Sequence, residues 1–582
     1  MIPYKTVLNF FLAVTLIGII AMPVTAQSKT YFVSPSGDDA NSGTTINKPL
    51  RSITGAIAQA TAGDTVYLLP GTYKEIINVV DKKGMPEKAI CIFGYSNKTD
   101  DYPVIDGGAV KPLLDGSNDW IYIKNSEWIE VAKIKFKDGW TNPIKVNNSS
   151  YISFDSCVFR GGKRVITVEG VLSHHILVEN CYWDQGGEYL WRIEKDSVGV
   201  EAWLSMHHVN MGYFNGSLID FSGTGGSIVI RKNKIVNAFN GIRYRGVKGC
   251  DSNVEIYDND ISNIRDNDFE PEYYTYNLFI YHNYSHNIHR TLSVDNVEGG
   301  NIYYFGNVIT LDNDLWTEKI CTSFGKVYGK DRLLSFPLYV FNNSFYGAAA
   351  AYKMDAGSAV NFKHYNNAYY FTLHDGFVIN KWDQTDGFDY DISNKPWPEN
   401  IVNNKQEIHG KICDIKFADP EKRDLTLQPG SKGIDAGKII KLKELDWTQS
   451  YIGKAPDVGA YENGKPVDGP AFRFMIPPQG KISYKEKPRL VKDIIYGNKV
   501  ILYFSDRIDP LSVKNNFVEL YKGGEKLSIT SVSFSNDNYQ MIVESNLIPA
   551  SGELSVSFKT MPKGINGETA TYWASAIKIY RK

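Results

Sequence analysis

The chain has 582 residues, more than one ordinary hydrophobic core supports, so it holds either two domains or an elongated repeat fold. Hydrophobic residues make up 43% and charged residues 22%, which are globular values, and the formal net charge of −2 offers no basic surface for nucleic acid. Glycine (50), tyrosine (37) and phenylalanine (28) are abundant. This composition favours turns and strands over long helices, so we expect an all-β protein.

The N-terminus has the pattern of a secretory signal peptide. Lys5 precedes an apolar run over residues 7–22, and Val24-Thr25-Ala26 forms a small-residue cleavage site. A membrane anchor is the alternative, but the apolar run is short for a span. We therefore predict a cleaved signal peptide over residues 1–26 and a secreted or periplasmic protein with no membrane span in the mature chain and no lipid-attachment cysteine.

A short alternating segment then recurs at intervals of about 24 residues. The segments are Ile152–Ser156, Ile176–Asn180, Val229–Asn233, Glu255–Asn259, Phe279–Asn283, Tyr303–Asn307, Tyr339–Asn343 and Lys363–Asn367. Seven of the eight end in asparagine, and the successive spacings are 24, 53, 26, 24, 24, 36 and 24. We interpret the spacing of 53 as hiding one poorly matched coil and the spacing of 36 as carrying an insertion.

A unit of this length, with short strands and an asparagine at a fixed corner, predicts one coil of a parallel β-helix. Asparagine amides can bond to the equivalent amides one coil away, so a stacked asparagine ladder gives the repeat a physical cause. A leucine-rich repeat has a similar length, but its leucine pattern is absent. Ser52–Ala62 has the apolar spacing of a short helix, which would cap the open N-terminal end of the solenoid.

The repeat fades after residue 410, and short strands with turn signals return near the C-terminus. We predict a right-handed parallel β-helix domain over residues 27–465, a linker over 466–490 and a small immunoglobulin-like β-sandwich over 491–582. None of the six cysteines forms a C-x-x-C pair. Cys157 and Cys181 fall on neighbouring coils about 4.8 Å apart, a separation that would allow a disulfide.

Several motifs resemble those of secreted bacterial right-handed β-helix enzymes that degrade polysaccharides. The opening motifs are Tyr31–Asp39, Ser42–Thr44, Pro49–Leu50, Ala62–Tyr67 and Leu69–Tyr73, and the closing ones are Asp424–Ser431, Gly433–Gly437 and Asp457–Glu462. The resemblance spans residues 31 to 462. It implies the β-helix and a polysaccharide partner, but not the reaction, because lyases and hydrolases share these motifs.

Residues twelve positions after each asparagine corner should stack in one column across the coils. This column and its flanks are rich in charge, which a core face would not tolerate. We predict that these residues and two nearby histidines bind substrate: Arg192, Arg243, Arg245, His286, His289, Lys326, Lys353 and Asp355. The cations favour an acidic or substituted glycan.

The densest acidic element is Arg265–Glu272, in which alternate side chains of an extended chain would share one side. The repulsion between these carboxylates must be relieved by a bound cation, by arginine or by protonation. Each of these three arrangements is typical of a functional site. We predict a catalytic centre formed by these residues and one on the next coil: Asp268, Glu270, Glu272 and Asp295.

Two reactions compete for this centre. A glycoside hydrolase needs two carboxyl groups, one as acid and one as nucleophile or base, and this is the favoured hypothesis. The alternative is a lyase that cleaves a uronate polymer by β-elimination, with Ca²⁺ held by Asp268, Glu270 and Glu272 and a base among Lys326, Arg290 and His289.

Lyases of the chondroitinase B and alginate lyase type carry Glu-x-Glu, then a lysine and a mid-coil arginine. This chain keeps Glu270-x-Glu272 but has Asp295 at the mid-coil position, and that difference favours hydrolysis. A non-catalytic carbohydrate-binding surface protein is the third hypothesis. We expect a monomer that requires no cofactor, with Ca²⁺ as the possible exception.

Overall fold

The structure is a computed structural model. It describes residues 27–86, 88–108, 119–186, 214–247, 250–312, 323–328, 337–347, 350–354, 361–372, 378–379, 387–442, 447–470, 489–504, 508–513, 517–535, 538, 540–548, 552–564, 569–572 and 577–581. The predicted signal peptide and most of the predicted linker lie outside these residues.

Most strands form parallel ladders on three faces, so that each coil gives one strand to each of sheets I, II and III. Sheet I contains Ile77–Val80, Ile121–Lys124, Ile144–Asn147, Ile166–Glu169, Ile219–Ser222, Ile242–Arg245, Ser323–Tyr328, Ala350–Met354 and Val378–Ile379. Sheet II contains Thr30–Val33, Thr65–Leu68, Ile90–Gly94, Glu127–Ala132, Ser150–Asp155, His174–Glu179, Gly226–Arg231, Ser252–Tyr257, Leu338–Phe341, Phe362–Tyr365 and Gly387–Asp389. Sheet III contains Thr72–Tyr73, Val104–Asp106, Lys135–Gly139, Val158–Gly161, Tyr182–Asp184, Lys234–Ala238, Val308–Thr310, Ser344–Gly347, Ala368–Phe371, Ile392–Ser393 and Lys411–Ile412.

Two long strands, Asp260–Tyr281 and Tyr284–Phe305, pass through all three sheets and pair with each other along their length. The interior between the sheets is filled by stacked aliphatic and aromatic side chains. Helix Ile53–Gln59 covers the N-terminal end of this interior, with Ile53, Ala56 and Ile57 buried and the Ser52 side chain accepting from the Gly55 amide. The predicted parallel β-helix and its capping helix are both present.

An asparagine ladder runs through the corner between sheets II and III. Its members are Asn233, Asn259, Asn283, Asn307, Asn343 and Asn367, all buried. From Asn259 on, each side-chain oxygen accepts from both the backbone N–H and the side-chain amide of the asparagine one coil earlier. Asn259 thus donates to Asn283 Oδ1 at 3.1 Å and 2.9 Å. Asp391 ends the ladder by accepting the same two bonds from Asn367.

The first two segments of the predicted repeat are shifted by one residue. Ile176 pairs with Ile228, not Val229, and Asn180 lies one position before the ladder with a positive φ of 53°. The ladder position in that coil belongs to Cys181, whose backbone donates to Asn233 Oδ1. Both Cys157 and Cys181 are free, buried thiols rather than a disulfide, and burial raises the pKa of Cys181.

The spacing of 53 hides no additional coil, which corrects the interpretation of the repeat. Strand His174–Glu179 pairs directly with Gly226–Arg231, and Tyr182–Asp184 pairs directly with Lys234–Ala238. The extra length is therefore a single insertion, and most of it lies outside the described residues.

After the last coil, the chain forms helix Glu399–Asn403 and three short antiparallel pairs. The pairs are Phe417–Asp419 with Asp424–Leu427, Lys441–Leu442 with Trp447–Thr448, and Tyr461–Glu462 with Lys465–Pro466. Three turns of 3₁₀-helix are Thr99–Asp101, Pro420–Lys422 and Pro510–Ser512. The closing segment packs against the corner between sheets II and III, where Asn342 Nδ2 donates to the carbonyls of Asp457 and Gly459.

The C-terminal residues form two antiparallel sheets. One contains Ser531–Phe534, Gln540–Glu544, Lys499–Phe504, Arg489–Tyr496 and Thr571–Tyr572, and the other contains Glu525–Leu527, Val518–Lys522, Gly552–Phe558 and Ile577–Arg581. Val500 and Leu502 of the first sheet share a core with Leu520 and Leu554 of the second, so the predicted β-sandwich is present. Its immunoglobulin-like topology stays a prediction.

The sandwich packs on the outer face of sheet II. Ile501 and Ile542 join an apolar cluster with Leu177 and Val229, and Gln540 Nε2 lies 3.0 Å from His174 Nε2. The sandwich residues that make this contact lie on sheet II and not on sheet I. Among the described residues, no helix has the length and apolar character needed to cross a membrane.

We predict that Asn283→Ala lowers the free energy of unfolding by roughly 2 to 5 kcal/mol, because it breaks four buried hydrogen bonds and leaves their backbone partners unpaired. Denaturant unfolding followed by circular dichroism measures the loss. Asn403→Ala, at an exposed helix position, is the matched control and should change stability by less than about 0.5 kcal/mol. Equal effects of the two substitutions would contradict a stabilising role for the ladder.

Candidate functional site

The outer face of sheet I carries a row of polar and charged side chains, named here the charged row. Its members, in register from coil to coil, are Lys145, Thr167, Asp220, Arg243 and Glu270. Farther along, the backbone positions of Ser293, Lys326 and Lys353 pair in the same register. The row exists because side chains alternate along each strand, so that Ile219 and Phe221 point into the core on either side of Asp220. A second row, two residues later, pairs Arg245 with Glu272 and Glu272 with Asp295.

Three guanidinium groups surround Asp220. Its Oδ2 lies 3.2 Å from Arg164 Nε and 3.3 Å from Arg243 Nη2, and its Oδ1 lies 4.0 Å from Arg245 Nη2. Asp220 is 3% exposed, so these charges interact in a medium of lower dielectric constant than water. Arg243 also lies 3.8 Å from Glu270 Oε2, and Arg245 pairs in register with Glu272, so the guanidinium groups share more than one carboxylate.

Lys163 borders this cluster, and the charges of the cluster act on its ammonium group. Burial lowers the pKa of its ammonium group, and the positive charges of Arg164, Arg243 and Arg245 lower that pKa further, while Asp220 opposes them. A lysine in this environment releases its proton more readily than an ordinary surface lysine. It can therefore act as a general base.

Glu270 is held by two amides at the corner before sheet I. Its Oε2 accepts from Asn240 Nδ2 at 2.9 Å, and its Oε1 accepts from Asn267 Nδ2 at 3.0 Å. Arg243 Nη1 lies 3.8 Å from the same Oε2 and donates to Asn215 Oδ1 at 2.8 Å. These contacts stabilise an ionised Glu270, because amide donors and a nearby guanidinium favour the carboxylate over the acid.

The structure brings together four of the predicted site residues: Arg243, Arg245, Glu270 and Glu272. Asp268 does not join them, which corrects its predicted place beside Glu270. It is fully buried, and burial raises its pKa against the opposing influence of Ser285 and Thr291. The backbone shifts register between Ile264 and Asn267, where it turns from sheet III to sheet I, so the alternation assumed for the acidic strip is broken.

The two predicted histidines lie away from the charged row. His286 is on sheet III, where its Nδ1 lies 2.9 Å from Thr310 Oγ1. His289 is buried at the turn toward sheet I, 3.8 Å from Asp266, and burial and then Arg290 lower its pKa to about 3. Neither histidine meets solvent on the face that carries Glu270.

Five further predicted residues can be placed only in part or not at all. The backbones of Lys326, Lys353 and Asp295 follow the two rows by strand register, while nothing is described of their side chains. Arg192 and Asp355 lie outside the described residues.

Sequence reasoning missed Asp220, Lys163 and Arg164. A signal for Asp220 was available: Ile219-Asp-Phe-Ser222 and Ile242-Arg-Tyr-Arg245 share an apolar, charged, aromatic order and lie in neighbouring strands. The long insertion before Ile219 concealed this match, because the repeat was counted from the asparagine corner alone. Lys163 and Arg164 lie in the turn before a strand and carry no repeat signal.

Residues 31–182 match the family model of the Pel9A-like right-handed β-helix region. The matched part of this chain contains Lys163 and Arg164 and ends before Asp220. Pectate lyase PEL9 of Emericella nidulans is 33% identical over 117 residues, which are 19% of this chain and 28% of that protein. The chain thus spans less than a third of this curated relative. The sheets and the matched region together confirm the predicted right-handed parallel β-helix.

Solved structures with a similar arrangement include lyases and a hydrolase. Pectate lyase Pel9A has a TM-score of 0.34 and 16% identity, with 75% of this chain and 97% of that chain covered. A mannuronic acid specific family 6 lyase from human gut microbiota has a TM-score of 0.39 and 14% identity, with 68% and 93% covered. The GH136 lacto-N-biosidase of Eubacterium ramulus has a TM-score of 0.37 and 12% identity, with 61% and 67% covered.

We predict that Asp220→Asn lowers the pKa of Lys163 further, because it removes the one negative charge that opposes burial and the arginines there. NMR titration of ¹³C-methylated lysines, with the signal assigned through Lys163→Arg, measures the change. Asp184→Asn removes a carboxylate that pairs with Arg160 on sheet III and is the control. A Lys163 pKa that stays constant or rises in Asp220→Asn would contradict the described cluster.

Proposed function

We propose that the protein is a polysaccharide lyase that cleaves a uronate-containing polymer by β-elimination on the outer face of sheet I. The observation that carries this proposal is Lys163, a lysine of lowered pKa beside three guanidinium groups. The similarity to the pectate lyase relative, over 117 residues, supports it. A uronate polymer lies outside cells, so we also expect the enzyme to be exported.

The proposed reaction uses the groups of the cluster directly. Neutral Lys163 Nζ takes the proton from C5 of a uronate residue, and the electron pair of that C–H bond forms the C4=C5 double bond. The C4–O glycosidic bond breaks, and the departing oxygen takes a proton from water. Lys163 then returns its proton to solvent, so that one chain end carries an unsaturated uronate.

The arginines make the C5 proton acidic enough to be removed. Negative charge develops on the uronate carboxylate as the proton leaves, and a fixed cation nearby stabilises that charge in the transition state. Arg245 suits this role best, because its side chain is 41% exposed and it contacts Asp220 only at 4.0 Å. Arg243 is buried against Asp220 and Asn215, so it orients the cluster rather than meeting the polymer.

The hydrolase hypothesis has less support. A glycosidase needs one carboxyl group that stays protonated near neutral pH, beside a second one that is ionised. Asp220 contacts guanidinium groups and Glu270 accepts from two amides, so both carboxylates are already engaged within the cluster. Asp268 has a raised pKa but is buried in the core and cannot reach a polymer.

Ca²⁺ fits the described residues of sheet I poorly. It requires six to eight oxygen ligands. Asp220 already contacts three guanidinium groups, and Glu270 accepts from two amides beside Arg243, so a cation there would face their positive charge. Glu272 lies opposite Arg245. We therefore assign neutralisation of the substrate carboxylate to arginine and derive no step through Ca²⁺.

The assay incubates the purified protein with a panel of uronate polymers and follows ultraviolet absorbance together with new reducing ends. A lyase produces both signals, because its product is an unsaturated uronate, whereas a hydrolase produces reducing ends alone. We expect both signals, with the rate unchanged by EDTA. New reducing ends without an increase in ultraviolet absorbance would establish the hydrolase reaction instead. A reaction rate that EDTA abolishes and Ca²⁺ restores would contradict the role given to the arginines.

We predict that Lys163→Ala lowers the elimination rate by about 10² to 10⁴-fold, as expected for loss of a general base. The wild-type rate should rise with pH as Lys163 loses its proton and level off below the ordinary lysine pKa, because burial and the arginines lower its pKa. The matched control is Lys234→Ala, at an exposed lysine on sheet III. Full activity in Lys163→Ala would contradict the assignment of the base.

A further inference from the structure

A second polar cluster lies inside the C-terminal end of the β-helix, away from the charged row. It contains His364 on sheet II, Asp391 at the end of the asparagine ladder, and Glu407 after helix Glu399–Asn403. His364 and Asp391 are 0% exposed and Glu407 is 6% exposed. Each side chain offers one donor atom, and these three atoms all lie within 4.8 Å of one another.

Each of the three side chains has one atom on a neighbour that helps to fix it, and Asn367 Nδ2 also lies 3.4 Å from His364 Nδ1. His364 Nε2 lies 2.7 Å from the Tyr369 hydroxyl, and Asp391 Oδ1 accepts two bonds from Asn367. Glu407 Oε2 accepts from the Asp391 amide at 3.2 Å. The remaining atoms are His364 Nδ1, Asp391 Oδ2 and Glu407 Oε1.

Two of these remaining atoms already meet, since His364 Nδ1 contacts Asp391 Oδ2. Glu407 Oε1 is buried and has no hydrogen-bond partner among the residues that the structure describes. Burial and the charge of Asp391 raise the pKa of Glu407. A buried carboxylate of this kind must gain either a proton or a cation.

We propose that His364, Asp391 and Glu407 bind a divalent transition-metal cation of the Zn²⁺ class, which would close the C-terminal end of the β-helix. One imidazole nitrogen and two carboxylate oxygens suit Zn²⁺, whereas Ca²⁺ prefers oxygen ligands alone. The outer contacts to Tyr369 and Asn367 are those that orient metal ligands in proteins. Ligands of a tetrahedral ion about 2.0 to 2.2 Å away lie more than 3 Å apart, so His364 and Asp391 separate slightly on binding.

The alternative is a proton on Glu407 beside a His364–Asp391 ion pair, and metal analysis separates the two. Untagged protein is stripped with a chelator and dialysed, and Zn²⁺ is then titrated in against a chromophoric competitor. We expect one tight site per chain and a higher melting temperature with Zn²⁺ than without it. Equal melting temperatures and no bound Zn²⁺ would overturn the proposal and leave the proton as the neutralising group.

The variant Glu407→Gln keeps the side-chain shape but removes one anionic ligand. It should bind Zn²⁺ at least about tenfold more weakly, because even the loss of a partner outside the ligands costs that much. His409→Gln is the control, since His409 is exposed and pairs with Asp389 outside the cluster. Equal Zn²⁺ binding by Glu407→Gln and wild type would overturn the site.

A readout on the wild-type protein covers the case in which Glu407→Gln does not fold. Co²⁺ replaces Zn²⁺ in sites of this donor set and gives a ligand-field spectrum in visible light that reports an imidazole and a low coordination number. We expect this spectrum at one Co²⁺ per chain, and its displacement by one equivalent of Zn²⁺. A wild-type protein that takes up neither ion would contradict the proposal.

Discussion

The hydrogen bond between buried asparagine side chains on neighbouring coils is the constraint on which the rest of the structure depends. Each amide group donates to the asparagine of the next coil and accepts from the residue of the previous coil, so the bonds form only when successive coils are in one register. A shift of one residue would break the ladder and turn core side chains outward. The ladder therefore fixes the side-chain rows of the three sheets in the coils from Asn233 to Asn367.

The charged row follows from that register. Stacked strands lie about 4.8 Å apart, so a charge on one coil is close to the charge at the same position on the next. Asp220, Arg243 and Glu270 alternate in sign along the row, which is the arrangement that Coulomb interactions favour. Arg164 lies in the turn before strand Ile166–Glu169, and Arg245 lies in the second row, opposite Glu272. Burial first, and then the positive charges of Arg164, Arg243 and Arg245, lower the pKa of Lys163.

The elements that the sequence allowed us to predict are those that repeat. The asparagine corner identified the β-helix, and counting from it placed Arg243, Arg245, Glu270 and Glu272 together. The failures occur where the repeat is interrupted. Cys181 occupies a ladder position and displaced the count at Asn180 by one residue. Asp268 is buried because the backbone turns between two sheets, and no periodic pattern marks such a turn.

The most direct test of the central claim is a crystal structure of the Lys163→Ala protein with a uronate oligosaccharide bound. We expect a chain of sugars along the outer face of sheet I, with the carboxylate of one sugar at Arg245 and C5 of that sugar facing position 163. An oligosaccharide that lies on sheet II or III, or that turns its carboxylates away from the arginines, would contradict it.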